Sequence, residues 1–176
     1  TGAASAEDLL KSDMSGRTVQ EVLDEANATI GEKIEVRRVA SMGAPEGGSV
    51  VSYLHKTSPD LPAQIGVLVV TEGEQDGVAR DIAMHVAAFS PTVLTRAEID
   101  EETVAKERRI AEETAREEGK PEQALPKIIE GRMTGFFKEN VLLDQAFAKD
   151  NKKSVAQVAK DGGIEITSFA RFKVGV

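Results

Sequence analysis

The sequence predicts an α+β fold: a small antiparallel sheet packed with helices, carrying a projecting antiparallel coiled-coil hairpin. Three observations lead there. Helix-like and strand-like segments are segregated instead of following a regular βαβ alternation. Residues 65–71 (IGVLVVT) form a continuous apolar run, as expected of a strand buried on both faces. Residues 99–138 read as two highly charged helical segments broken once by Gly119-Lys120-Pro121, where a helix-stopping glycine and proline turn the chain back on itself.

The elements follow in order. Residues 5–11 make a short helix. Thr18 and Glu21 have the spacing of a capping box, in which hydroxyl and carboxylate satisfy reciprocal free amides. Behind it Val19, Val22, Leu23, Ala26 and Ile30 share a helical face that Gly31 closes. Residues 33–42 (KIEVRRVASM) alternate as a strand, 43–48 form a loop, and 50–55 (VVSYLH) form a second strand. A surface loop with two prolines spans 56–64, and a polar turn is expected at 72–77. Residues 78–89 form a helix with Val78, Ile82, His85, Val86 and Phe89 on one side, stopped by Ser90-Pro91. The first hairpin arm, 99–118, is rich in good helix formers and has a thin apolar face of Val104, Ala111 and Ala115. It would reach about 30 Å. The second arm places Leu125, Ile129, Met133 and Phe136 on one stripe, and Pro126 either kinks it or marks its true start. Residues 142–147 read as extended, and 154–161 as a short helix ended by Gly162-Gly163. In the strand expected at 164–174, Ile164, Ile166, Ala170, Phe172 and Val174 share one face.

Composition narrows the function classes. With 176 residues, 40% hydrophobic and 30% charged, the chain is globular, one or two small domains, and long enough to bury a core. Aromatics are 4% and Trp is absent, so that core rests on Val, Ile, Leu and Ala. The absence of Cys excludes disulfides, thiolate catalysis and cysteine metal sites, and suits a reducing cytoplasm. No apolar run reaches the length of a membrane helix, no signal peptide opens the chain, and the missing initiator Met reads as a processed beginning. A net charge of -8 repels phosphates, which argues against a direct nucleic-acid partner and for a protein partner or a small ligand.

No phosphate-binding glycine loop, zinc-binding helix motif or nucleophile elbow occurs. With two histidines and no cysteine, a transition-metal site is not expected. His85 admits two readings: a general base oriented by Asp81 one turn earlier, as in a small hydrolase, or a buried histidine satisfied within the core. Tyr53 and His55 lie on the same face at a strand end and form a candidate partner contact. Asp100, Glu101 and Glu102 read first as a helix start complementing the helix dipole, and as a divalent-ion site second.

Seven blocks then carry a family likeness: IGEKIEVRRVA (30–40), IGVLVV (65–70), DIAMHVAA (81–88), GKPE (119–122), KIIEGRM (127–133), LLDQAF (142–147) and FARFKVG (169–175). Together they resemble the core of the bacterial elongation factor Ts family. The resemblance implies a guanine nucleotide exchange factor with no covalent chemistry, no cofactor and no metal. Its partner would be elongation factor Tu, without direct nucleic acid, membrane or small-molecule substrate, and its setting the cytoplasm. Residues 1–43 resemble the end of a first core subdomain. Residues 44–176 resemble the second, including the hairpin at 99–138, which in that family is an intramolecular coiled coil. His55 falls where the family has a histidine at its docking surface, so Tyr53 and His55 are the expected partner-binding residues. The family's N-terminal helical module and its Thr-Asp-Phe segment do not occur in these 176 residues. Docking with weak exchange is therefore expected of this stretch. Ala146 stands where many members have Pro. The alternative is a coiled-coil structural adaptor whose charged helices pair between two chains, against which stand the Gly-Lys-Pro break and the sparse apolar heptads.

Overall fold

The computed structural model describes residues 2–73 and 76–175, so the polar turn expected at 72–77 lies partly outside the described residues, at Glu74 and Gln75. The chain packs as two compact units, Thr1–Gly43 and Ala44–Val176.

In the first unit, helix boundaries follow local chemistry. The Ser5 hydroxyl accepts from the Asp8 N–H at 3.1 Å and starts α1 (Ala6–Lys11). Thr18 and Glu21 close the capping box that starts α2 (Val19–Ile30): Glu21 N–H donates to Thr18 Oγ1 at 3.2 Å, and Thr18 N–H to Glu21 Oε2 at 2.8 Å. The Thr18 backbone and hydroxyl bonds hold the Glu21 carboxyl below its usual range. Gly31 ends α2 with φ +75°, a left-handed turn that costs a glycine nothing.

The strand expected at 33–42 does not form; these residues are in no ladder. Alternation supplies a face, but a strand also needs a neighbour for its backbone groups. Ile34 is held by a side chain instead: its N–H donates to Asn27 Oδ1 at 2.7 Å, and Asn27 Nδ2 donates to its carbonyl at 3.2 Å.

The second unit contains β1 (Gly48–His55), β2 (Ile65–Glu72), α3 (Asp76–Phe89), α4 (Glu101–Glu117), α5 (Leu125–Asn140), β3 (Ala146–Phe147), β4 (Asp150–Ser154), α6 (Val155–Asp161) and β5 (Glu165–Lys173). The main sheet is antiparallel in the order β1-β2-β5, and β3 pairs with β4 in a small second sheet. This is the α+β architecture expected. The apolar β2 takes the centre. α3 packs across β1 and β2, setting Ile82, Ala83 and Val86 into a core with Val67 and Val69, which Phe147, Val155 and Ile164 complete.

The single face expected for 164–174 is broken. The β2–β5 register shifts between Val70, opposite Ser168, and Thr71, opposite Ile166, so one extra residue sits in β5. Such a bulge inverts the alternation beyond it. Ile166 stays in the core and Phe169 packs against it, while Ala170 and Phe172 turn to the other face. β4 reads DNKKS, with no apolar residue to betray it in the sequence.

α4 begins where Asp100 accepts from the Thr103 N–H at 2.7 Å. α4 and α5 pack on each other, burying Ala111, Ala115, Leu125 and Met133. Arg108–Glu130 at 2.5 Å and Arg132–Glu118 at 2.8 Å join the two helices in antiparallel sense. Pro126 lies in the first turn of α5, where a missing N–H is harmless, so it marks the start of the helix and does not kink it. Among the described residues no helix is long and apolar enough to cross a membrane.

Two glycines separate tight packing from mere flexibility. A Cβ on Gly48 would lie 2.2 Å from the Thr71 carbonyl oxygen, whereas one on Gly131 would meet nothing within 4 Å. Gly48→Ala should therefore destabilise the fold by about 1–3 kcal/mol, and Gly131→Ala should stabilise it by about 0.5–1 kcal/mol. Urea unfolding of the two variants checks both signs; a neutral Gly48→Ala would contradict the close approach.

Candidate functional site

Tyr53 and His55 meet as the spacing predicts. They alternate onto the side of β1 that faces α3, half-buried, with Tyr53 Oη and His55 Nδ1 3.0 Å apart and their rings 6.0 Å apart. Arg80 of α3 places its guanidinium 5.8 Å from the Tyr53 ring centre, a cation–π distance. Register decides what else is there. His55 is opposite Ile65, and Ile65 is opposite Lys173, so the start of the 56–64 loop and the end of β5 share this end of the sheet. The Gln64 N–H donates to the His55 carbonyl at 3.0 Å, and the Val174 N–H to the Gln64 carbonyl at 2.8 Å.

Three apolar side chains stand out at this end: Leu54 is 70% exposed, Leu61 45% and Val174 75%. One exposed leucine is ordinary. Leu54 lies over Gly66 on the face of the sheet away from α3, opposite to Tyr53 and His55, while exposed Lys56, Asp60 and Lys173 lie at the same end of the sheet. The sequence reading named Tyr53, His55 and the C-terminal strand as the expected contact and did not single out the exposure of Leu54 and Leu61; Leu54 on the outward phase of β1 was the available signal.

His85 is elsewhere and is enclosed, 1% exposed and stacked on Phe89 with ring centres 4.6 Å apart. The Ala148 N–H donates to Nδ1 at 3.1 Å; a backbone amide can only donate, so this nitrogen accepts and the proton sits on Nε2. Nε2 then donates to Gln145 Oε1 at 2.8 Å, and Gln145 Nε2 donates to the Glu139 carbonyl at 2.8 Å. Burial pushes the imidazole below its usual range, with the Gln145 bond opposing part of that shift. The Asp81 carboxylate accepts from Lys149 at 2.6 Å, so Asp81 and His85 do not form the acid–base pair considered from the sequence.

Asp100 spends its carboxylate on the Thr103 amide and hydroxyl, bonds that hold it below its usual range, as a helix start requires. Among the described residues no three His, Asp or Glu side chains converge as metal ligands would.

The candidate contact residues Tyr53 and His55 thus lie at the end of a helix-backed sheet. The model of the family described as Elongation factor TS matches residues 1–176, and the chain belongs to that family. It is 59% identical over 167 residues to elongation factor Ts of Acidothermus cellulolyticus, covering 95% of this chain and 59% of that protein. It is 57% identical to the Kineococcus radiotolerans protein, covering 98% of this chain and 62% of the relative. It is also 57% identical to the Micrococcus luteus protein, covering 99% and 63%. The chain therefore spans 59% to 63% of the length of these curated relatives.

The geometry around His85 carries a pH signature. The folded ring resists protonation, while the unfolded ring titrates near its ordinary 6.5. Below that value the unfolded state binds more protons, so stability is lost as the pH is lowered; above it the contribution of the neutral ring is complete. Between about pH 7.5 and 5.5 the urea midpoint of the parent should drop further than that of His85→Gln. Parallel profiles would show that His85 is not held neutral by the fold.

Proposed function

We propose that this chain is the core of a guanine nucleotide exchange factor that docks on elongation factor Tu in the cytoplasm and favours its nucleotide-free state. The observation that carries the proposal is membership of the elongation factor Ts family over residues 1–176. Exchange of this kind is differential binding: a protein that prefers the empty partner weakens nucleotide affinity by the same factor, with no nucleophile or base.

Residues 44–176 act as the docking subdomain and 1–43 as the end of the preceding one. Docking runs through the sheet end that carries Tyr53 and His55, whose paired, half-buried amphipathic rings suit a protein contact. The α4–α5 hairpin serves as an intramolecular coiled coil and an accessory contact. These 176 residues contain no Thr-Asp-Phe segment, so they bind with weak acceleration of GDP release.

The test is release of fluorescent GDP from elongation factor Tu with and without this chain, alongside direct binding. Measurable binding with little acceleration is expected, and absence of binding would overturn the proposal. His55→Ala should weaken binding about tenfold, or about 1.4 kcal/mol. An affinity equal to the parent's would remove His55 from the interface.

A further inference from the structure

The α4–α5 hairpin is tied to the rest of its unit in two different ways. Leu94 and Leu142 at its base enter the core, a contact that attracts without fixing an angle. Its two legs are also joined to each other: Leu142 N–H donates to the Val93 carbonyl at 2.9 Å, and Arg96 pairs with Asp144 while lying 4.5 Å from the Phe137 ring centre. A directional tie to α3 comes from the buried chain of bonds Ala148 N–H to His85, His85 to Gln145, and Gln145 to the Glu139 carbonyl in the last turn of α5. Its side chains come from positions 60 residues apart, and both are almost completely buried, His85 at 1% and Gln145 at 3% exposure.

We propose that His85 and Gln145 are positioning residues that set the angle at which the hairpin leaves the sheet-and-α3 body. The reason is geometric. Gln145 faces His85 with its oxygen and Glu139 with its nitrogen, so any pivot of α5 that loses the Glu139 carbonyl orphans a buried amide. Intermediate angles are therefore disfavoured and one attitude is selected. The relay also requires a neutral ring. A proton on Nδ1 would face the Ala148 N–H donor to donor, so acid opens the relay.

The other charged groups on the surrounding elements do not substitute for that event. Asp81 of α3 pairs with Lys149 of the β3–β4 turn, and Asp144 pairs with Arg96. Arg171 of β5 donates to the Ala87 carbonyl at 3.1 Å. Lys138 and Glu139 of α5 are exposed. The functional half of the inference, that the angle tunes partner binding, rests on the hairpin being an accessory contact.

The chain has no cysteine, so spin labels can be placed cleanly at Lys120→Cys in the hairpin turn and Glu165→Cys on the sheet. Electron–electron distance measurements on the whole chain should give one narrow distribution at neutral pH. Gln145→Ala should broaden it at least twofold. His85→Asn, which keeps an acceptor for Ala148 but cuts the Gln145 bond, should do the same. His85→Gln, which keeps a donor for Gln145, should restore it. Acidification should broaden the parent but not His85→Gln. Should Gln145→Ala fail to fold, Gln145→Glu decides, because it keeps the acceptor for His85 and loses the donor to Glu139. A folded Gln145→Ala or Gln145→Glu chain as narrow as the parent would overturn the positioning role.

Binding to elongation factor Tu is the second arm. Several-fold weaker binding by Gln145→Ala, abolished as a difference when the hairpin is deleted, supports coupling. Equal affinity despite a broadened hairpin contradicts it. Failure of the parent to bind at all would sink the proposed function, while the distance distributions still decide the relay.

Discussion

A strand without a charged side chain from Ile65 to Thr71 must keep its edges and its α3-side face from water, and the second unit is arranged around that requirement, while Gly66 and Leu68 on the other face are half-buried. β1 and β5 occupy the two edges of β2, and α3 covers the face on which Val67 and Val69 point. Once β2 is central and both neighbours are antiparallel, the positions of distant residues follow. His55, Ile65 and Lys173 fall in one row across the sheet, so a strand end, the start of a loop and the C-terminal stretch lie at the same end of the sheet.

The hairpin obeys a different constraint. α4 has little apolar surface, and the residues it buries, Ala111 and Ala115, are small, so the helix that covers them comes close. α5 provides Leu125 and Met133 for that contact, and the ion pairs Arg108–Glu130 and Arg132–Glu118 define its sense. Exposed pairs of this sort contribute a few tenths of a kcal/mol each. Their value here is in specifying which helix faces which.

How much of this could be read in advance depended on the range of the interaction. The capping box of Thr18 and Glu21 lies within one turn, and its residues imply its bonds. The buried phase of α3 and the turn at Gly119 were legible for the same reason. The strand expected at 33–42 failed because alternation does not say whether a neighbour exists, and Asn27 took the backbone of Ile34 instead. The bulge near Thr167 was invisible because a period of two contains no signal for one extra residue, and that residue moved Ala170 and Phe172 to the opposite face. Within the candidate site, Tyr53 and His55 are near neighbours in sequence and could be paired by spacing.

The buried polar side chains show where this fold uses its hydrogen-bonding capacity. Thr71, fully buried, bonds Ser49 at 3.0 Å across the β1–β2 pair and donates to the Gly73 carbonyl at 3.1 Å. His85 and Gln145 use their ring nitrogens and amide on Ala148, Glu139 and each other. Among the described residues, no buried side-chain nitrogen or oxygen lacks a partner. These bonds link one element to another, β1 to β2 and, through Gln145, α5 to α3. For the exchange role proposed above such rigidity matters, because the free energy by which a protein discriminates between two states of a partner depends on its own shape not adapting to both.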